Sequence, residues 1–429
     1  MNKIKKICTD NKAKWIDHRR ILHKHPELGF MEYFTASYIA KYLDSKGFSL
    51  IFGETVSNKN YFMNYPSNIK RNEAYIKAIN YGVENDWISK FNHNTSFIAK
   101  LENGNGPTVA FRFEMDALPI IEASDKSHRP FIENFISKNK GVMHACGHDG
   151  HLAVSLALAD LIVEFKESFK GTILFIFQAA EEGVRGALSI CKTDALKNID
   201  YLFSHHIVPH LNSNTRIIPY NAFSATEKWN VHIIGEEAHA GFCPNQGSNA
   251  ILAASVIIQN LYSIPRHKAG ITRINVGKIN GGSARNIICG NIVFEMELRG
   301  ENNDILNYLK ERSKSIIENC SNIYNCSSNI TVEGFSESAF SSSSLSTVIK
   351  EISLDDFSVI SENGTGGSED FSLMLNSVQN NNGLGLYIGC GANFNNNNFL
   401  LHSNNFDFDE DYIPLTAEFF MQIILTLLK

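Results

Sequence analysis

The segment 143–151, MHACGHDGH, gathers three histidines, one cysteine and one aspartate ahead of and into the start of a helix. Cys146 and His148 are two apart, so in an extended turn both can face one cation, and Gly147 lets the backbone come close. The plain alternative is a capping loop around a buried thiol. A strand expected at 172–178 runs into Ala179, Ala180, Glu181, Glu182 and Gly183, which puts two carboxylates where an open α/β sheet carries its site. Adjacent carboxylates repel unless a positive charge sits between them. A divalent cation does this, with one carboxylate as ligand and the other accepting a proton from bound water. The next strand, 201–204, ends in His205 and His206, and either of them can complete the site. His402, ahead of the acidic FDFDED stretch, reads by itself as structural.

These groups need a frame. Helices are expected over 15–25 and 33–43, broken by Pro26 and Gly29, with Gly47 placed to cap the second. Residues 53–95 turn polar and irregular and read as an insertion, before apolar patterning resumes over 97–101. Strand 107–113, helix 151–166, strand 172–178, helix 184–191 and strand 201–204 then alternate, as in an α/β domain whose largely parallel sheet is flanked by helices. Near residue 223 the pattern changes. Strand 228–234, helix 248–262, strands near Ile274 and over 292–299, and helix 304–320 describe a compact α+β unit over 223–334, inserted into a first domain made of 1–222 and 335–429. A strand over 384–388 and a helix from Tyr412 belong to the returning part. The Asn-rich patches at 379–382 and 394–398 read as solvated loops.

Composition narrows the function classes. The chain has 429 residues, 43% hydrophobic and 20% charged, with 10 Pro and 29 Gly, which is an ordinary globular composition and excludes a disordered or collagen-like chain. Thirty-nine basic and 45 acidic residues give a net charge of −6, so no basic field exists to hold nucleic acid. The start, MNKIKKICTDNKAKW, is basic without an apolar stretch behind it, and a cytoplasmic protein with no membrane partner is expected. The eight cysteines form no regular framework, so reduced thiols are expected.

The segments MDALPI (115–120), MHACGHDGH, EEG (181–183), HIVP (206–209), AHAG (238–241), RNII (285–288), GSEDF (367–371) and LHSNNFDFDE (401–410) resemble, in order across nearly the whole chain, the dinuclear metal-dependent amidohydrolases and aminoacylases with an inserted dimerisation domain. SHRPF (127–131), EEGVRGA (181–187) and SARN (283–286), with the 53–95 insertion, are similar to the branch acting on aminobenzoyl-glutamate and indole-acetyl-aspartate. The resemblance implies Cys146, His148, Glu182, His206 and His402 as ligands of two divalent ions, Mn or Zn, and Glu181 as general base. It gives Asp116 a supporting role and His239 an oxyanion-supporting role across a dimer interface. Asn286 matches a substrate-contacting position, and Arg299 an arginine that holds a substrate carboxylate. Arg185 and Arg285 are candidates for a second, side-chain carboxylate. Three departures stand out: Glu114 replaces an Asp, Ala179 a Pro, and Cys289-Gly290 a Pro-Asp. His144, Asp149 and His151 are expected to orient ligands; His18, His23, His25, His93, His128, His210, His232 and His267 are expected to be structural or exposed.

The implied activity is hydrolysis of the amide bond of N-acyl or N-aroyl amino acids, acidic conjugates such as p-aminobenzoyl-glutamate foremost. A hippurate-like, acetyl-amino-acid or dipeptide hydrolase is the alternative within the same chemistry. An inactive metal-binding partner subunit is the alternative of another class. A homodimer, or a heterodimer with a homologous subunit, is implied.

Overall fold

The computed structural model describes residues 3–91, 94–220, 223–352, 357–362, 367–394 and 399–429; His93 and the 395–398 part of the second Asn-rich patch lie outside them. Among the described residues, twelve strands form two sheets. The larger has the order β1-β2-β4-β3-β5-β12-β6-β11, from β1 (Ser49–Phe52), β2 (Phe97–Asn103), β3 (Thr108–Glu114), β4 (Gly171–Gln178), β5 (Tyr201–Val208), β6 (Thr215–Tyr220), β11 (Ser358–Glu362) and β12 (Leu384–Gly391). Its centre, β4-β3-β5-β12, is parallel. Antiparallel pairing enters towards both edges, through β1-β2-β4 on one side and β12-β6 on the other.

Helix His148–Glu164 is buried on almost every side, from His148 to Ile162. After its first turn the sequence is apolar on nearly every side, as expected of a helix held between a sheet and outer helices. Those outer helices are Lys3–Lys24 and Tyr412–Leu427, and their side chains share one core with the sheet, including Trp15, Leu152, Phe111, Phe203 and Phe420. Helices Ala187–Cys191 and Phe371–Asn380 cover the opposite face, where Ile190, Leu202, Phe371 and Met374 pack together. Gly47 follows helix Tyr33–Ser45 at φ +84°, the left-handed position that ends helices.

The second sheet is antiparallel, in the order β10-β7-β9-β8, from β7 (Ala225–Ile234), β8 (Thr272–Gly281), β9 (Asn291–Gly300) and β10 (Ser327–Ser336). Alternation decides its faces. Trp229, Val231, Ile233, Phe294, Met296 and Leu298 are buried with residues of helices Ala250–Tyr262 and Asn303–Ile323. Lys228, Asn230, Glu295, Glu297 and Arg299 face a cavity shared with the first sheet's site.

The 53–95 segment is more ordered than its composition suggests. It contains helix Asn68–Asn80, whose first turn is capped by the Ser67 side chain accepting from Lys70 N–H. Only Arg71 and Ala78 of that helix are buried, too thin an apolar stripe to show as a period in sequence. Strands β6, β10 and β11 and helix Ser343–Lys350 are further elements that apolar patterning does not reveal. Among the described residues, no helix is long and apolar enough to cross a membrane, and all eight cysteines are unpaired.

Candidate metal centre and active site

The site lies at the carboxyl ends of the parallel strands. Gly147 caps the start of helix His148–Glu164 at φ +88°, and a Cβ there would stand 3.0 Å from Ile207, so the turn that aims Cys146 and His148 needs glycine. On β5, which runs on to Val208, neighbours point to opposite faces. His205 enters the core against Phe113 and Phe420, and His206 faces Cys146, with Nε2 3.3 Å from Sγ. His402, at φ +62° on the 399–411 loop, brings Nε2 to 3.4 Å from Cys146 Sγ and 3.4 Å from Glu182 Oε1.

The Glu181-Glu182 turn after β4 is held one peptide at a time. Ala179 N–H donates to Ser96 Oγ (3.0 Å), Ala180 N–H to Glu32 (2.9 Å), and the N–H groups of Glu181 and Glu182 to the two oxygens of Asp116 (2.9 and 3.0 Å). Gly183 (φ 90°) takes the left-handed turn without cost, whereas positive φ at Ala180 (54°) and Val184 (58°) is the kind of backbone strain that persists only where surroundings over-determine it. The Ala179 bond also gives the Pro-to-Ala departure a reason, since proline has no N–H to donate. Ser96 and Glu32 are functional supports that sequence reasoning missed; they lie 83 and 148 residues from their partners, and no local pattern links them.

Two overlapping ligand groups share the thiol: Cys146 with His148 and His206, and Cys146 with Glu182 and His402, each with candidate atoms within 4.8 Å. His148, Glu181 and Glu182 form a third such group. His148 donates from Nδ1 to the Asp116 carbonyl (2.7 Å), and His206 from Nδ1 to the Ile207 carbonyl (2.9 Å), so both present Nε2 as a lone pair to the centre. His148 Nε2 is buried without a hydrogen-bond partner among the described residues, and the buried Glu182 Oε1 meets His402 Nε2 at 3.4 Å. Unsatisfied lone pairs converging on a thiol, two imidazoles and a carboxylate fit divalent cations.

The electrostatics agree. Burial, reinforced by His151, pushes His206 down to about 3, so it is neutral and able to ligate. Burial opposes a charge on His148, but Glu114, Glu182 and Asp116 outweigh it and hold its pKa above the usual value; a cation would take the place of that proton. The adjacent carboxylates part company. Burial, then Glu369 and Glu182, pushes Glu181 well above the usual range, whereas His402 and His148 overcome burial to hold Glu182 below it. Environments that separate neighbouring carboxylates in this way suit one to proton transfer and the other to ligation. Glu369, in the GSEDF segment, is a third residue that spacing did not nominate. It is held by Arg112 (2.9 Å) and Tyr387 (3.1 Å).

Glu114 is buried between Arg112 (2.6 Å) and His151 (3.2 Å), so the longer side chain in place of Asp has its own partners. Asp149 turns away from the centre to Arg19 and His23, both at 2.8 Å, and locks the helix start to Lys3–Lys24 instead of orienting a ligand. His23 and His128 are buried and meet at Glu122, 2.9 Å from each.

A cavity of about 1210 Å³ opens beside Glu182 and His402 and is lined also by Arg185 and Arg299. Arg185 donates to the carbonyls of Glu182 (2.9 Å) and Asn64 (3.3 Å), and Arg299 pairs with Glu297 (2.9 Å). His239, Asn286 and Arg285 are exposed on the second unit and are not among the cavity's lining residues. There the 239 and 287 backbones bridge, and Ala240 N–H donates to the Asn286 carbonyl.

Comparison with known proteins agrees with this geometry. The model for peptidase family M20/M25/M40 matches residues 110–426. The chain is 35% identical over 93% of its length to indole-3-acetyl-aspartic acid hydrolase of Enterobacter agglomerans, covering 92% of that protein. It is 33% identical, with the same coverage, to one of the subunits of p-aminobenzoyl-glutamate hydrolase from Escherichia coli strain K12. An aminobenzoyl-glutamate utilization protein from Klebsiella pneumoniae superposes with a TM-score of 0.83 at 27% identity over 99% of this chain and 98% of that one. A dinuclear metal-binding M20 peptidase from Bacillus subtilis shares the fold, with a TM-score of 0.68 at 22% identity over 98% and 99% of the two chains.

Proposed function

The chain belongs to peptidase family M20/M25/M40, and from that premise we propose that it is a metal-dependent amidohydrolase cleaving N-acyl and N-aroyl amino acids, acidic conjugates such as p-aminobenzoyl-glutamate foremost. The observation that carries this reading is the convergence of Cys146, His148, Glu182, His206 and His402 beside a buried Glu181 whose pKa is raised. These five side chains would hold two divalent ions. The thiolate favours zinc, and the carboxylate and imidazoles also suit manganese.

Bound ions of this kind lower the pKa of water and polarise a carbonyl. Glu181 accepts the proton of the attacking water and returns it to the leaving amine, a task suited to a carboxylate whose pKa is raised above the usual carboxylate range. Asp116 fixes the direction of both glutamates through their N–H groups and of His148 through its carbonyl. Arg299 holds the α-carboxylate from the opposite wall, whereas Arg185, the other arginine of the cavity, is engaged by the Glu182 and Asn64 carbonyls.

His239, Arg285 and Asn286 would act in a partner's site. That reading is supported by the open edge of β8 and by exposed apolar side chains nearby, with Phe242 89%, Ile251 50% and Tyr262 54% exposed. Such surface suits self-association as a homodimer, or pairing with a homologous subunit. Retention of every ligand and the base favours an active enzyme over an inactive partner subunit. The test is a panel of p-aminobenzoyl-glutamate, indole-acetyl-aspartate, hippurate, an acetyl-amino acid and a dipeptide with metal-loaded protein. Fastest turnover of the first two supports the reading; preference for the dipeptide refutes it.

A further inference from the structure

Nothing in the sequence assigns a task to segment 53–95, yet its helix Asn68–Asn80 forms a wall of the cavity. Lys70, Glu73, Ala74 and Lys77 all line it. Their spacing, i, i+3, i+4 and i+7, is one helical face, while Arg71 and Ala78 are buried on the other side. Lys77 is half-buried, and its ammonium donates to Asn139 Oδ1; Asn139 in turn donates to the Pro26 carbonyl at 2.9 Å. The ammonium is therefore positioned by a neutral acceptor anchored on the first domain, and it keeps further N–H donors.

Lys228 stands on the opposite wall, on β7, and the two arginines that line the cavity are differently engaged. Arg299 is paired with Glu297 at 2.9 Å. Arg185 uses Nε and Nη1 on two backbone carbonyls, and its Nη2 lies against Gly29, where a Cβ would stand only 2.4 Å away. It serves as a strap between the ligand turn and segment 53–95. Among the described residues, no carboxylate lies within 4 Å of Lys70 or Lys77; the one on their own face, Glu73, is unpaired between them.

We propose that helix Asn68–Asn80 is the specificity wall of the enzyme, and that Lys77, seconded by Lys70, receives the side-chain carboxylate of an acidic N-acyl amino acid. This rests on the amidohydrolase reading above. An anion entering a partly enclosed cavity needs a fixed counter-charge, and Lys77 is the lining cation on this wall that is both held in place and free of a carboxylate. Glu73 opposes the same anion and sets how strongly acidic conjugates are preferred.

The experiment compares p-aminobenzoyl-glutamate with p-aminobenzoyl-alanine on full-length, metal-loaded wild type, Lys77→Gln, Lys77→Arg and Glu73→Gln. Lys77→Gln should raise KM for the glutamate conjugate about tenfold or more, leaving the alanine conjugate within about twofold, which also shows that the variant is folded and loaded. Lys77→Arg should keep most of the preference, and Glu73→Gln should lower KM for the glutamate conjugate. Parallel changes on both conjugates, no change in Lys77→Gln, or a wild type that cleaves both with equal KM would overturn the proposal. A wild type that cleaves neither conjugate would instead remove the amidohydrolase reading on which it stands.

Discussion

Replacing Asp116 by Asn tests how the active-site turn is built. The carboxylate is buried, with one oxygen on Glu181 N–H and the other on Glu182 N–H. An amide has one acceptor oxygen, so its NH2 must face one of those N–H groups. One charge-assisted bond is lost, roughly 1.5–3 kcal/mol, and a buried donor is left unpaired at about 1–3 kcal/mol. Burial holds the Asp116 carboxyl above its usual pKa, so removing the charge returns part of this, leaving about 2–4 kcal/mol. The His148 Nδ1 bond to the Asp116 backbone survives, which confines the damage to the glutamate turn. Urea unfolding of the metal-free protein should show the loss of stability. Calorimetric metal titration should show affinity weakened about 10–100-fold, the usual cost of losing a group that orients a ligand. Stability within about 0.5 kcal/mol of wild type together with unchanged metal affinity would refute the reasoning.

Glu181→Gln removes a proton acceptor and no proposed ligand, so both ions should remain by elemental analysis while turnover falls about 10²–10⁴-fold; loss of metal would mean that Glu181 and Glu182 exchange roles. Mixing His239→Ala chains with Glu181→Gln chains should regenerate sites with both wild-type groups, read as activity rising on mixing; mixed dimers without activity would place His239 in cis or outside catalysis. His23 is raised to about 9, because Asp149 and Glu122 outweigh the burial that opposes its charge. A pKa raised on folding stabilises fully below the unfolded value of 6.5, and that stabilisation is lost as pH climbs towards 9. Wild type should thus lose up to about 3 kcal/mol across this window, a slope absent from His23→Gln in urea melts at several pH values.

What the sequence reveals and what it hides follow from the range of each interaction. Cys146 and His148, or Glu181 and Glu182, are close in the chain, so residue type and spacing expose them. The choice between His205 and His206 is one of strand parity, and β5 runs four residues further than apolar patterning suggests, so the register is needed to see which one faces the thiol. The supports of the turn come from Glu32, Ser96 and Asp116, on separate elements, with no spacing to betray them. The same holds for the buried Arg19, which joins Asp149, Asp407 and Glu410 over as many as 391 residues. Helix Asn68–Asn80 and strand β10 are mostly exposed or half-buried, and without a buried stripe neither pattern announces itself.

Cys146 is shared by two of the ligand groups around the centre, so it bears most directly on the claim that two cations are held there for amide hydrolysis. Metal content per chain, measured on the same preparations of wild type and Cys146→Ala as turnover of p-aminobenzoyl-glutamate, tests that claim. Two ions and activity in wild type, with both reduced together in Cys146→Ala, are expected. Two ions with normal turnover in the variant, or full activity in metal-stripped wild type, would contradict it.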